Sequence, residues 1–371
     1  MCEDKSRIEP LDPNHAPRRI IVDVWYPAEP VGQLSTPAPY LNVAAIEGVI
    51  GARGLRRQLG SSYEVIKAGK LTTHAVANAP FAGSLRRSPL LIFSPGGGMI
   101  RELYTAQLED LASHGYVVAA ITHPYDGFLT VFPDGSSVVY DSKRWPNQPS
   151  VEGEANLNQL EWHADDIRFV LDELSHAPSS APFAGRLDLA RVGAFGHSFG
   201  GMAAAHACQK DERIKACLNE DGANARQPYL LDARGWGMDQ PFMLIERDPV
   251  TGPPPDEVLA EMKLTRERLN ELLNRLDSRR DRALRSTGGT YRVVLQPNGT
   301  SHMDFSDLGV LGAGTPTEQE TKERMLAAVR SYTEAFFDRY LRNTKSSFLE
   351  TKSQNNLVET VERFSPGRRP K

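Results

Sequence analysis

Ala190-Arg-Val-Gly-Ala-Phe-Gly-His-Ser-Phe-Gly-Gly-Met-Ala-Ala-Ala205 is the stretch on which the reading of this chain turns. Val192 to Phe195 is a short apolar run. It meets Gly196-His197-Ser198-Phe199-Gly200, and the small residues Gly201, Ala203, Ala204 and Ala205 follow. Apolar strand, G-x-S-x-G and small-residue helix, in that order, form a nucleophile elbow. Such a turn leaves Ser198 exposed at the tip of a sheet, with a strained backbone and room only for glycine beside it. In a chain with 30 glycines the pentapeptide alone is weak. The strand before it and the close-packing helix after it make it specific.

A serine hydroxyl is a poor nucleophile at neutral pH. It needs a base in hydrogen-bond reach and a carboxylate to orient that base. In an α/β-hydrolase the chain order is Ser, acid, His, each at the C-terminal end of a strand. After Ser198 the only histidines are His206 and His302. His206 lies two helical turns past the elbow, on the wrong element. His302 follows the last apolar strand in Gly299-Thr-Ser-His-Met-Asp304, where the base belongs. Asp221 ends the strand after the elbow, and Glu246 and Asp248 end the one after that. Pattern alone leaves the acid open among them. Leu90 to Phe93 runs into Ser94-Pro95-Gly96-Gly97-Gly98, and glycines there let backbone N–H groups approach a substrate oxyanion. The second donor is the N–H after the nucleophile, on Phe199.

Around this core, apolar runs and helical patterns alternate. Strands are expected at 19–27, 90–93, 116–121, 192–195, 215–218, 241–245 and 291–295, and helices at 103–114, 156–174 and 317–342. One or two short helices are expected within 44–66, and 123–153 reads as a long loop. Alternation of this kind predicts an α/β-hydrolase fold, a mostly parallel central sheet with helices on both faces. A charged amphipathic helical insertion at about 256–286 interrupts it, flanked by Pro253-Pro254-Pro255 and Gly288-Gly289. Residues 1–18 read as a polar N-terminal arm, 19–342 as a single domain with a candidate lid at 253–289, and 343–371 as a polar tail.

The 371 residues carry a formal charge of -4, with 40% hydrophobic and 24% charged residues. That profile suits a globular enzyme and offers no basic excess for nucleic acid. No apolar run approaches a membrane span. Met1-Cys2-Glu3-Asp4 is not followed by an apolar stretch, so no signal peptide is expected in the chain as written, and an export or anchor segment would have to be absent from it. Cys2, Cys208 and Cys217 show no metal-type spacing; Cys208 and Cys217 read as two buried thiols, able to pair only if the fold brings them together. Arg363, Arg368, Arg369 and Lys371 read as solvated, with contact to an anionic lipid surface as the alternative. Trp162 and His163 read as packing, and His123-Pro-Tyr-Asp126 as a turn at the rim of the site.

Phe93-Ser-Pro-Gly-Gly-Gly98, Leu108-Glu-Asp-Leu-Ala-Ser-His-Gly-Tyr-Val-Val-Ala-Ala120 and Gly196-His-Ser-Phe-Gly-Gly201 resemble the plasma-type platelet-activating factor acetylhydrolase family. That family belongs to the dienelactone-hydrolase-like α/β-hydrolases, near some bacterial polyester and lipid esterases. Val24-Trp-Tyr-Pro27 and Ser301-His-Met-Asp-Phe-Ser-Asp307 resemble it too, and the similarity runs from about 19 to 340. The resemblance implies a calcium-independent serine esterase with no cofactor. It implies Ser198 as nucleophile, His302 as base, Asp221 as acid, and Gly97 at the family's oxyanion position. Pro95 stands where the family usually has His. The expected activity is hydrolysis of short-acyl or lipid-like esters. Lactones, polyesters or other acyl bonds cleaved by the same triad are the alternative, and a non-catalytic binding protein on this scaffold is the reading of another class.

Overall fold

The computed structural model describes residues 1–30, 32, 36–140, 157–222, 237–247, 259, 264–295, 300–349 and 358–364. Its centre is six parallel strands: β3 (Ser88–Ser94), β4 (Val117–Thr122), β7 (Leu187–His197), β8 (Ile214–Glu220), β9 (Phe242–Arg247) and β10 (Thr290–Leu295). β3 and β4 are buried along their whole length, as continuous apolar runs covered on both faces must be. With β1 (Cys2–Ile8), β2 (Pro17–Trp25) and β11 (Val358–Phe364) they form one nine-stranded sheet, in the order β1-β2-β4-β3-β7-β8-β9-β10-β11. β1 and β2 at one edge and β11 at the other run antiparallel to their neighbours.

Helices close both faces. α3 (Thr105–Ser113) and α8 (Pro316–Leu341) cover one, where Leu108, Val329, Phe336 and Phe337 meet Phe93 and Phe195. α4 (Leu157–Ser175) and α5 (Phe199–Lys210) cover the other, where Ile167, Val170, Ala203 and Ala204 meet Leu90, Ile92 and Ala194. Small side chains on α5 are what allow its close approach to β7 and β8. The stretch 43–67 forms α1 (Val43–Leu59), with a left-handed break at Gly51 (φ 72°), and α2 (Tyr63–Lys67). Past the site come α6 (Arg266–Ser286) and α7 (Asp307–Leu311).

Four features differ from the sequence reading. Residues 2–8, expected in a surface arm, supply an edge strand that pairs Cys2 with Ile20. Residues 358–364, expected in a polar tail, supply the opposite edge, pairing Val361 with Val293. Within the expected loop 123–153, β5 (Leu129–Val131) and β6 (Ser137–Val139) form a small hairpin. Cys208 on α5 and Cys217 on β8 are not separate thiols but a disulfide, because the helix–turn–strand connection brings their Cα atoms to 6.4 Å.

Of the expected lid, 253–258 and 260–263 lie outside the described residues. α6 is capped by Thr265, whose side chain accepts the Arg268 N–H. Its last turn is buried through Ala283 and Leu284, which pack with Phe242 and Leu244 of β9. No helix among the described residues is long and apolar enough to cross a membrane.

Candidate active site

β7 delivers the serine. Ser198 sits between β7 and α5 at φ 54° and ψ -123°, a left-handed conformation that few non-glycine residues adopt. Three constraints hold it there. Its N–H donates to the Glu220 carbonyl (2.7 Å), and its carbonyl accepts from Gly201 and Met202. A Cβ at Gly196 or Gly200 would fall on the Ser94 carbonyl oxygen, so elbow and neighbouring strand pack backbone to backbone.

Asp221 follows β8, and His302 lies in the loop after β10. Asp221, also left-handed (φ 52°), follows β8 directly. His302 opens a short 3-10 turn after Ser301, pinned by its own residues. Asp304 accepts from the Ser301 N–H and hydroxyl, and Lys322 of α8 reaches Asp304 at 2.8 Å. The three side chains converge: Ser198 Oγ lies 2.9 Å from His302 Nε2, and His302 Nδ1 lies 2.6 Å from Asp221 Oδ2. A carboxylate on Nδ1 fixes the tautomer with Nδ1–H, which leaves Nε2 to accept the serine proton. Burial alone would push the Asp221 carboxyl up. His302 and Arg247 outweigh it and hold the group below its ordinary range, as a carboxylate.

The competing acids are placed elsewhere. Glu246 is turned to Arg292, whose Nε is 2.5 Å away. Asp248 lies outside the described residues. His206 contacts Glu161 on α4 instead of the serine.

The glycine loop after β3 lies against the serine. Cβ atoms built on Gly96 and Gly97 would stand 3.3 Å from Ser198 Cβ and 3.7 Å from Phe199 Cβ. The Gly96 N–H donates to the Tyr104 hydroxyl (3.1 Å), which donates in turn to His197 Nδ1 (2.8 Å). Burial pulls the His197 pKa down to about 3, so this imidazole is neutral and accepts. The Gly98 N–H donates to the Asp126 carbonyl. With Gly96 and Gly98 both committed, the Gly97 N–H has no acceptor among the described residues, and the Phe199 N–H, first in α5, has none either.

A second Ser–His–Asp array lies beneath this loop, and the sequence reading missed it. Ser94 Oγ is 2.9 Å from His123 Nε2, and His123 Nδ1 is 2.7 Å from Asp166 Oδ2. All three are buried. Burial lowers the His123 pKa, so the ring is neutral, gives Nδ1–H to Asp166 and accepts the Ser94 proton. Asp166 also takes two nitrogens of buried Arg18, at 2.7 and 2.6 Å, and Arg18 pairs with Glu9. His163 stacks on His123 (centroids 3.8 Å apart) and meets the Phe199 ring edge-on. The only signal in the sequence is polar residues at or beside apolar elements: His123 just past β4, His163 and Asp166 on the covered face of α4.

A strand-elbow-helix serine, a buried aspartate after the next strand and a histidine after the last parallel strand have the arrangement of an α/β-hydrolase site. The family model described as platelet-activating factor acetylhydrolase, isoform II, matches residues 9–132. A probable 1-alkyl-2-acetylglycerophosphocholine esterase of Arthroderma benhamiae is 35% identical over 36% of this chain and 31% of its own. Platelet-activating factor acetylhydrolase of Bos taurus is 31% identical over 45% of this chain and 43% of its own. The matched stretch thus spans less than half the length of these curated relatives. A ferulic acid esterase from Streptomyces cinnamoneus is 30% identical with a TM-score of 0.68, covering 95% of this chain and 91% of that one. The chain belongs to the platelet-activating factor acetylhydrolase-like esterase family of α/β-hydrolases.

Proposed function

We propose that this chain is a serine carboxylic-ester hydrolase that works through an acyl-enzyme, on short-acyl or lipid-like esters. The observation that carries it is the continuous Ser198–His302–Asp221 hydrogen-bond chain at 2.9 and 2.6 Å. Ser198 Oγ attacks the ester carbonyl carbon while His302 Nε2 takes its proton. Asp221 holds the ring and stabilises the imidazolium. The Gly97 and Phe199 N–H groups, free of protein acceptors among the described residues, take the developing oxyanion, each contributing about 3 kcal/mol. His302 then protonates the departing alcohol. Water enters, gives its proton to the same nitrogen, and attacks the acyl carbon to release the acid and restore Ser198.

The acetyl-ester relatives support a short acyl group. The similarity to a ferulic acid esterase over 95% of the chain supports a second class, esters of aromatic acids. A panel of p-nitrophenyl esters from two to sixteen carbons, with methyl ferulate, separates the two. Hydrolysis by the native chain and none by Ser198→Ala is the expected result. Turnover that survives in Ser198→Ala, or a Ser198 that a fluorophosphonate probe leaves unlabelled, rejects the proposal.

A further inference from the structure

The acid oxygen that His302 uses is shared. Asp221 Oδ2 lies 2.6 Å from His302 Nδ1 and also 2.6 Å from Nε of Arg247. The backbone N–H of Arg247 donates to the other oxygen, Asp221 Oδ1, at 3.2 Å. Both bonds come from the last residue of β9, the strand next to β8, so the register of the sheet sets this grip. The rest of the Arg247 side chain reaches the surface, with 35% of it exposed, while Asp221 is buried.

We propose that Arg247 is a positioning residue that clamps the triad carboxylate from the side away from His302. The proposal rests on the esterase reading above, and deepens it by naming a fourth member of the site. Asp221 sits in a left-handed backbone conformation with its carboxylate between two donors, and a clamp on both oxygens fixes which lone pair faces the imidazole. The clamp also has an electrostatic consequence. A cation bound to the same oxygen weakens that oxygen's pull on a proton arriving at the ring, so without it the ring takes up its proton at higher pH.

Among the described residues, no other group around the ring does this. His197, from β7, faces it at 4.4 Å between centroids, but is buried and neutral. Asp304, in the same turn as His302, is neutralised by Lys322 of α8. Glu220, from β8, is held by Gln107 of α3 and Thr333 of α8.

The test is the pH profile of kcat/KM for a neutral p-nitrophenyl ester, measured on the native chain, Arg247→Met and Arg247→Lys. For Arg247→Met the acid limb is expected to move up by about half a unit to one unit. Its plateau kcat is expected to fall about tenfold with KM within about twofold. Arg247→Lys keeps the charge and is expected to return the limb to its native position, with only part of kcat. A limb that stays in place in Arg247→Met while kcat falls overturns the proposal, because loss of structure alone lowers the plateau without moving the limb. If Arg247→Met does not fold, Arg247→Gln carries the same comparison. A native chain with no turnover and no fluorophosphonate labelling overturns the esterase reading itself. A native chain that turns over, with superimposable variant profiles, overturns only the role of Arg247.

Discussion

Replacing Glu220 with glutamine tests the electrostatics of the sheet centre, because this carboxyl is buried next to the triad acid without being part of the triad. Glu220 is fully buried. Its Oε1 accepts from Gln107 Nε2 at 2.6 Å and from the Thr333 hydroxyl at 3.2 Å, and its Oε2 has no hydrogen-bond partner among the described residues. No cation among the described residues balances it, and burial pushes its pKa from the ordinary 4.5 to about 8. Below about pH 4.5 folded and unfolded chains both hold the proton. Between there and about 8 the unfolded chain releases it and the folded chain keeps it. Stability is therefore fully present at low pH and is lost as pH rises toward 8. The separation of the two values bounds the loss at about 5 kcal/mol, and relaxation of the buried site brings it to on the order of 2–3 kcal/mol. Glu220→Gln has the same shape and no proton to lose. The Gln107 carbonyl oxygen, which has no hydrogen-bond partner among the described residues, offers the new amide an acceptor. Urea unfolding at pH 5 and pH 9 is the assay. The variant should match the native chain at pH 5 within about 1 kcal/mol and exceed it by on the order of 2–3 kcal/mol at pH 9. Equal pH dependence in the two, or a variant weaker at pH 9, refutes the reasoning.

Three other perturbations have defined outcomes. Asp221→Asn should lower kcat about ten-thousand-fold with the fold intact by circular dichroism, because it reverses the tautomer of His302; a comparable loss in Asp248→Asn and not in Asp221→Asn would reject the acid assignment. Gly200→Ala should give little folded protein or cost more than about 3 kcal/mol in thermal unfolding, because its Cβ would meet the Ser94 carbonyl; near-native stability would mean the elbow is looser than described. Removing the disulfide by Cys208→Ser with Cys217→Ser should cost about 2–3 kcal/mol, the value for closing a loop across a sequence separation of 9, and reductant should no longer affect the unfolding midpoint.

The central strands were legible because both faces of each are buried, so Leu90–Phe93 or Val117–Ile121 shows as an unbroken apolar run. The edges were not. Cys2–Ile8 and Val358–Phe364 are mostly polar, and they join the sheet through backbone hydrogen bonds that leave no apolar pattern. For the site, the elbow and His302 could be read from spacing. The acid could not, because Asp221 and Asp248 both follow strands; resemblance selected Asp221, and in the structure it meets His302 at 2.6 Å. Arg247 shows in the sequence only as a charge between Glu246 and Asp248 at a strand end. The Ser94–His123–Asp166 array joins residues from β3, the end of β4 and α4, and no local spacing announces a contact 43 residues apart.

The disulfide between Cys208 and Cys217 bears on how the Ser198, Asp221 and His302 side chains are held relative to one another. It joins the helix that begins just after Ser198 to the strand that ends just before Asp221. Nucleophile and acid therefore share a covalent frame on one side of the site. The base belongs to a separate stretch, anchored by the Asp304–Lys322 ion pair and by contacts of α7 and α8. On heating, turnover is expected to be lost before Ser198 and Asp221 separate, and to return on cooling, because only the His302 stretch lacks a covalent tie to that frame.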